Sequence, residues 1–179
     1  MATEPEAAAT HADSGVQVSV RLATRDDMQQ VFDMIKELAD YEGMPRGPQL
    51  SVQDLIEDGF EARPAWFFGL VAESGGALLG HALCNRAYSS WTRRAFYVED
   101  LYVRPAARRL GVGLRLLHEL CRMAVAEGVH RVDWHVLEDN APALGFYTRL
   151  GARDLRVSEG RAAMRLDRPH IERLAREQL

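Results

Sequence analysis

The run Arg94–Arg104, R-A-F-Y-V-E-D-L-Y-V-R, constrains this chain more than any other stretch: it is apolar on both faces and is stopped by Pro105. A strand of that kind escapes water only inside a sheet covered by other elements. Arg108-x-x-Gly111-x-Gly113 follows at once. The segment Leu110–Glu127 then places Leu110, Leu114, Leu117, Cys121 and Ala124 on one helical face. Buried strand, glycine turn and amphipathic helix therefore run on without a gap. A helix N-terminus leaves unpaired N–H groups, carries partial positive charge, and accepts an anion closely where glycines remove the Cβ.

The rest of the chain supplies the remaining layers. Val16–Leu22 alternates apolar with polar, the period of a half-buried strand. Thr24 with Asp27 forms a capping-box-like start for a helix carrying Met28, Val31, Ile35 and Leu38 on one stripe and ending near Tyr41. Glu42–Leu50 is a Gly- and Pro-rich loop, and Ser51 with Asp54 caps a shorter helix to about Ala62. W-F-F-G-L-V-A-E, a Ser74–Gly76 turn and A-L-L-G-H-A-L-C predict an antiparallel hairpin. R-V-D-W-H-V-L predicts a strand, Asn140–Leu150 a short helix, two further strand pieces follow with G-R-A-A-M-R-L as a hairpin, and a last helix begins near Arg168. This order describes an α/β (mixed α+β) fold, a mixed sheet with helices packed on it.

Length and charge narrow the function. The 179 residues suit a single domain, expected over 16–179 behind a disordered tail at 1–15. Twenty-two basic against 26 acidic residues give a net charge of −4, without the basic excess that nucleic-acid binding requires. No apolar stretch approaches the roughly 18 residues of a membrane span, so no membrane partner is expected. Two cysteines, Cys84 and Cys121, are too few for a disulfide framework, and both are read as core. Six histidines lack ligand spacing, so no metal is expected. With G-x-x-x-x-G-K-[ST] and G-x-G-x-x-G both missing from the sequence, coenzyme A is the attractive owner of a pyrophosphate at the Gly111 turn. Its amide-rich pantetheine arm can pair with strand backbone at Leu101–Val103.

Several blocks now stand in a telling order: I-K-E-L-A-D-Y-E, D-G-F, L-V-A-E, Y-V-E-D-L-Y-V, R-x-x-G-x-G, N-x-P-A-x-x-F-Y and L-G-A-x-D-L. From about Val18 to Leu166 the chain resembles the GNAT superfamily of acyl-CoA N-acyltransferases, and within it the diamine (spermidine/spermine) and thialysine N-acetyltransferases. The resemblance implies a central, mostly antiparallel sheet with a splayed strand pair, acetyl-CoA as co-substrate, a small-molecule amine as acceptor and a cytoplasmic homodimer. It implies Glu99 as general base and Tyr147 as general acid. Leu101, Val103, Arg108, Arg109, Gly111, Val112, Gly113 and Asn140 would hold the acyl donor, and Glu42, Asp100, Trp91 and Arg161 the acceptor. There are departures. Arg109 and Leu110 stand where the family usually has glycine and another residue, Cys84-Asn85-Arg86 replaces an aromatic run, Ser89 matches the thialysine type, and Arg161 replaces a tryptophan. Arg161 and Arg86 near the acceptor would repel a polyamine's second cation, and Arg161 could grip an amino acid's carboxylate.

Duller readings stand beside these. Adjacent residues of a regular strand face opposite sides, so Glu99 and Asp100 reach one cleft only through a bulge. A tyrosine in F-Y-x-x-L is commonly a core aromatic, and Arg161 can simply face solvent. The rival functions are a non-catalytic coenzyme A-binding module, which has no use for Glu99 and Tyr147 together, and an acetyltransferase of protein lysines.

Overall fold

The computed structural model describes residues 17–176, so the expected tail at 1–15 lies outside the described residues. The chain divides into two compact units, Met1–His135 and Val136–Leu179.

The first unit is built on a five-stranded sheet in the order β1 (Ser19–Leu22), β2 (Phe68–Ser74), β3 (Ala77–Ser89), β4 (Arg93–Val103), β5 (Arg131–Trp134). Neighbours are antiparallel except β4 and β5, which run parallel. The mixed, mostly antiparallel sheet is thus the one the sequence implies. Helix α1 (Met28–Tyr41) buries Met28, Val31, Met34, Ile35 and Ala39, and the first four pack with Val71, Leu83 and Tyr102 of the sheet. Thr24 and Asp27 form the expected capping box, and Asp27 also takes a fork of hydrogen bonds from Arg21, which reaches Glu73 as well. Ser51 and Asp54 start α2 (Val52–Ile56), which widens into a π-helical turn over Glu57–Glu61.

By strand alternation, Leu70, Ala72, Ala82, Cys84, Phe96 and Val98 occupy the opposite face, where α3 (Val112–Ala126) packs on β1–β4. The buried stripe of α3 is Val112, Leu116, Leu117, Leu120 and Ala124. It is rotated from the expected one: Cys121 is exposed and Leu114 half so. Left-handed Gly111 ends the preceding turn and leaves Leu110 outside the helix, and the docking of α3 on β1–β4 selects which of its faces is buried. Cys84 is buried as expected.

The second unit holds α4 (Ala141–Arg149), α5 (Leu155–Glu159) and α6 (Arg168–Arg176). The two expected strand pieces are absent among the described residues. Asp154 accepts hydrogen bonds from the Arg156 and Val157 N–H groups and Gly160 turns left-handed, so D-L-R-V-S-E-G closes as a capped helical turn. G-R-A-A-M-R-L is not a hairpin. It pairs with no strand, and Met164 is 91% exposed.

Candidate active site

The chemistry gathers on β4, where the pairing with β3 slips. Leu83 lies opposite Asp100 and Cys84 opposite Val98, so Glu99 is the extra residue of a β-bulge. That is the one backbone device by which both neighbouring carboxylates can leave the ordinary alternation. Pairing of β4 with β5 covers only Ala95–Val98 against Arg131–Trp134, while β4 continues to Val103. From Glu99 onward, including half-buried Leu101 and Val103, the β5 side of β4 has no strand partner among the described residues. The splayed pair and the bulge coincide.

Asp100 is half-buried and shares the α1 face with Tyr102, whose hydroxyl donates to Glu37 of α1 at 3.1 Å. Glu42 closes the C-terminus of α1. Burial, and then the nearby Asp100 charge, raise its carboxyl above the usual glutamate value. The same two causes push the Cys84 thiol up to about 12, so it offers no thiolate for a covalent route. Glu42 and Asp100 thus form an acidic pair that a cation would relieve. Glu99 itself is exposed.

Beyond β4, Gly111 sits at φ 74° immediately before α3, and a Cβ there would meet no heavy atom within 4 Å. An open helix start of this kind suits the pyrophosphate of a coenzyme A, with the first N–H groups of α3 as donors. Val112 is buried and anchors the helix, and Gly113 follows in its first turn. Arg109 adopts φ 66°, the left-handed conformation in which the glycine it replaces would be unstrained. The Arg108 guanidinium lies over the Tyr41 ring at 4.8 Å, and its Nε donates to the Val103 carbonyl.

In the second unit Asn140 caps α4 by accepting from the Ala143 N–H at 3.3 Å, and Tyr147 lies further along the same helix against Phe146, ring centroids 5.3 Å apart. Burial raises the Tyr147 hydroxyl above the usual tyrosine value, so its proton is held more firmly than that of an exposed tyrosine. Arg161 forms an ion pair with Glu159 at 2.7 Å.

Other expected acceptor residues lie apart. Trp91 is 81% exposed in the β3–β4 turn, and the strand from Arg93 to Glu99 spans about 20 Å. Arg86 corrects its expectation: it pairs with Glu127 at the end of α3 and lies over the Phe68 ring at 4.7 Å, on the face opposite Asp100. Ser89 has a local task, accepting from the Trp91 and Thr92 N–H groups in the turn. Sequence reasoning missed two histidines. His81 is buried beside Asp100, and His135, at the end of β5, is hydrogen-bonded through Nδ1 to the Tyr97 hydroxyl. The signal for His81 was a lone polar residue in the apolar G-H-A-L-C strand.

A bulged, splayed strand feeding a glycine turn and helix is the layout of an acyl-transfer enzyme. Among solved structures the fold resembles an integron cassette protein from the mobile metagenome of V. cholerae, with a TM-score of 0.73 and 22% identity over 89% of this chain and 98% of that one. It also resembles an aminoglycoside acetyltransferase from an uncultured soil metagenomic sample, with a TM-score of 0.66 and 14% identity over 84% and 95%. Residues 29–152 match the acetyltransferase (GNAT) family. The thialysine N-epsilon-acetyltransferase of Sus scrofa is 34% identical over 166 residues, 88% of this chain and 97% of that protein. The Homo sapiens spermidine/spermine N(1)-acetyltransferase-like protein 1 is 33% identical over 89% of this chain but 24% of its own length. The chain belongs to the acetyltransferase (GNAT) family, and it is an N-acetyltransferase.

Proposed function

We propose that this enzyme transfers the acetyl group of acetyl-CoA to a primary amine of a small molecule, a thialysine-like amino acid or a di- or polyamine. The observation that carries the reading is the bulge: it sets Glu99 off the pairing ladder beside the acidic pair Asp100 and Glu42, where the sheet opens. An acidic pair collects an ammonium ion, and an ammonium with a reference pKa of about 10.4 must lose a proton before it can attack. Glu99 takes that proton. The new C–N bond forms at the thioester carbonyl, and an N–H of the unpaired edge of β4, at or near Leu101, faces the developing oxyanion. As the C–S bond breaks, the Tyr147 hydroxyl gives its proton to the departing thiolate. The pyrophosphate is held at Gly111–Gly113, with Arg108 and Arg109 alongside, and the pantetheine arm by Leu101, Val103 and Asn140. Both units belong to one transferase domain in this reading, since the family match runs unbroken across the His135–Val136 boundary.

An acetyl-transfer screen of thialysine, lysine, putrescine, spermidine and a histone peptide tests the proposal. Transfer to the small amines is expected. Transfer to the peptide alone would replace it with a protein-lysine acetyltransferase, and coenzyme A binding without any transfer would replace it with a binding module.

A further inference from the structure

His81 has no accessible surface, and neither ring nitrogen has a hydrogen-bond partner among the described residues. It sits in the middle of β3 opposite Tyr102, with ring centroids 6.4 Å apart, on the α1 face beside Val71 and Leu83. An apolar residue would fill this place without leaving buried nitrogens unpaired, which is costly. One polar group stands near it: Nε2 lies 3.9 Å from Oδ2 of Asp100, just beyond hydrogen-bond length. Titratable and charged groups around the pair include Glu42 from the end of α1, Cys84 from β3, Tyr102 with its partner Glu37, Arg104 paired with Glu37, and Arg108 over the Tyr102 ring.

We propose that His81 is a positioning residue for the acceptor amine: its Nε2–H holds Asp100, and the contact shortens to a hydrogen bond when a cationic amine draws the carboxylate into place. Hydrogen bonds of this kind are commonly long in the free enzyme and tighten in the complex. The donor orients one carboxylate oxygen and leaves the other for the ammonium. It also offsets the Asp100 charge toward Glu42, so the site favours an acceptor with one amine near the acids over one carrying a second cation. The proposal rests on the amine-acetylating reading of the Glu99–Asp100 site.

The test combines steady-state kinetics with NMR of the ring nitrogens. His81→Phe is expected to raise the thialysine KM about tenfold or more, the effect of losing a hydrogen bond to a charged group, with the acetyl-CoA KM unchanged. His81→Gln, which keeps an N–H donor, is expected to recover most of the loss. In an Asp100→Asn background His81→Phe is expected to add little. The spermidine-to-thialysine ratio of kcat/KM should rise in His81→Phe. Equal losses in both backgrounds, or a Tm change without a change in the thialysine KM, would overturn the proposal. The NMR arm needs no turnover: a proton on Nε2, with resonances that move in Asp100→Asn, is expected. A proton on Nδ1, or resonances indifferent to that substitution, would reject the His81–Asp100 contact. If the wild type acetylates no small amine, the amine reading fails and the acceptor role of His81 fails with it, whereas kinetic failure in an active enzyme sinks the role of His81 alone.

Discussion

Replacing Gly111 by valine separates the stability of the fold from the binding of the acyl donor. Gly111 holds φ 74° and ψ 10°, a left-handed conformation that costs an L residue about 1–2 kcal/mol. The stiffer unfolded chain returns about 0.4–1 kcal/mol of that. The Cβ itself adds no clash, since it would meet no heavy atom within 4 Å. The net loss is about 1 kcal/mol, or a Tm lower by about 2–4 °C for a chain of this size. In the proposed reading the same open space is where the pyrophosphate approaches the first N–H groups of α3, and the valine methyls would occupy it. At about 100 times Kd, acetyl-CoA stabilises the wild type by about 2.7 kcal/mol, a rise of roughly 5–10 °C. Differential scanning fluorimetry with and without acetyl-CoA reads both quantities. The expected result is a variant that folds, melts slightly lower and no longer responds to acetyl-CoA, with Gly111→Ala in between. If Gly111→Val keeps the full shift, the pyrophosphate is not at the start of α3. If it loses more than about 3 kcal/mol without ligand, the open-space argument is wrong.

Tyr147→Phe keeps the ring and removes the proton, so kcat should fall about 10²-fold with the acetyl-CoA affinity little changed; an unaltered kcat across the pH profile would return Tyr147 to a core role. Arg86→Phe should leave the spermidine-to-thialysine ratio of kcat/KM as it is, because Arg86 is engaged by Glu127 and lies over Phe68 on the face away from Asp100. A changed ratio would put Arg86 back at the acceptor site. Asp27, held by the Arg21 fork and the Thr24 cap, has its carboxyl lowered from 3.8 to about 2. A carboxyl lowered on folding stabilises above its unfolded value, so Asp27→Asn should cost about 2 kcal/mol at neutral pH. That difference should fade as the pH falls from about 4 toward 2, and urea titrations of both proteins at pH 7 and pH 2.5 would reveal its absence.

Local patterns were legible in the sequence wherever nearby residues decide the outcome. The capping pairs Thr24–Asp27 and Ser51–Asp54, the stripe of α1 and the turn at Gly75-Gly76 depend on contacts a few residues apart, and each appears as read. The motif order carried the family, and with it the sheet. The candidate site was legible only in part. Adjacency of Glu99 and Asp100 could be seen, but whether they escape opposite faces hung on one extra residue in the β3–β4 register. Register is a property of two strands, not of either one. The stripe of α3 turned because docking on the sheet, not spacing along the helix, selects the buried face, and the segment after Gly160 formed no strand because a strand needs a partner edge. Arg86 and His81 make the same point from opposite sides. Each lies on β3, and chain position alone gives neither its neighbours. Tertiary packing carried Arg86 to Glu127, 41 positions along the chain, and brought His81, two strand residues short of the Leu83–Asp100 pair, within 3.9 Å of a carboxylate.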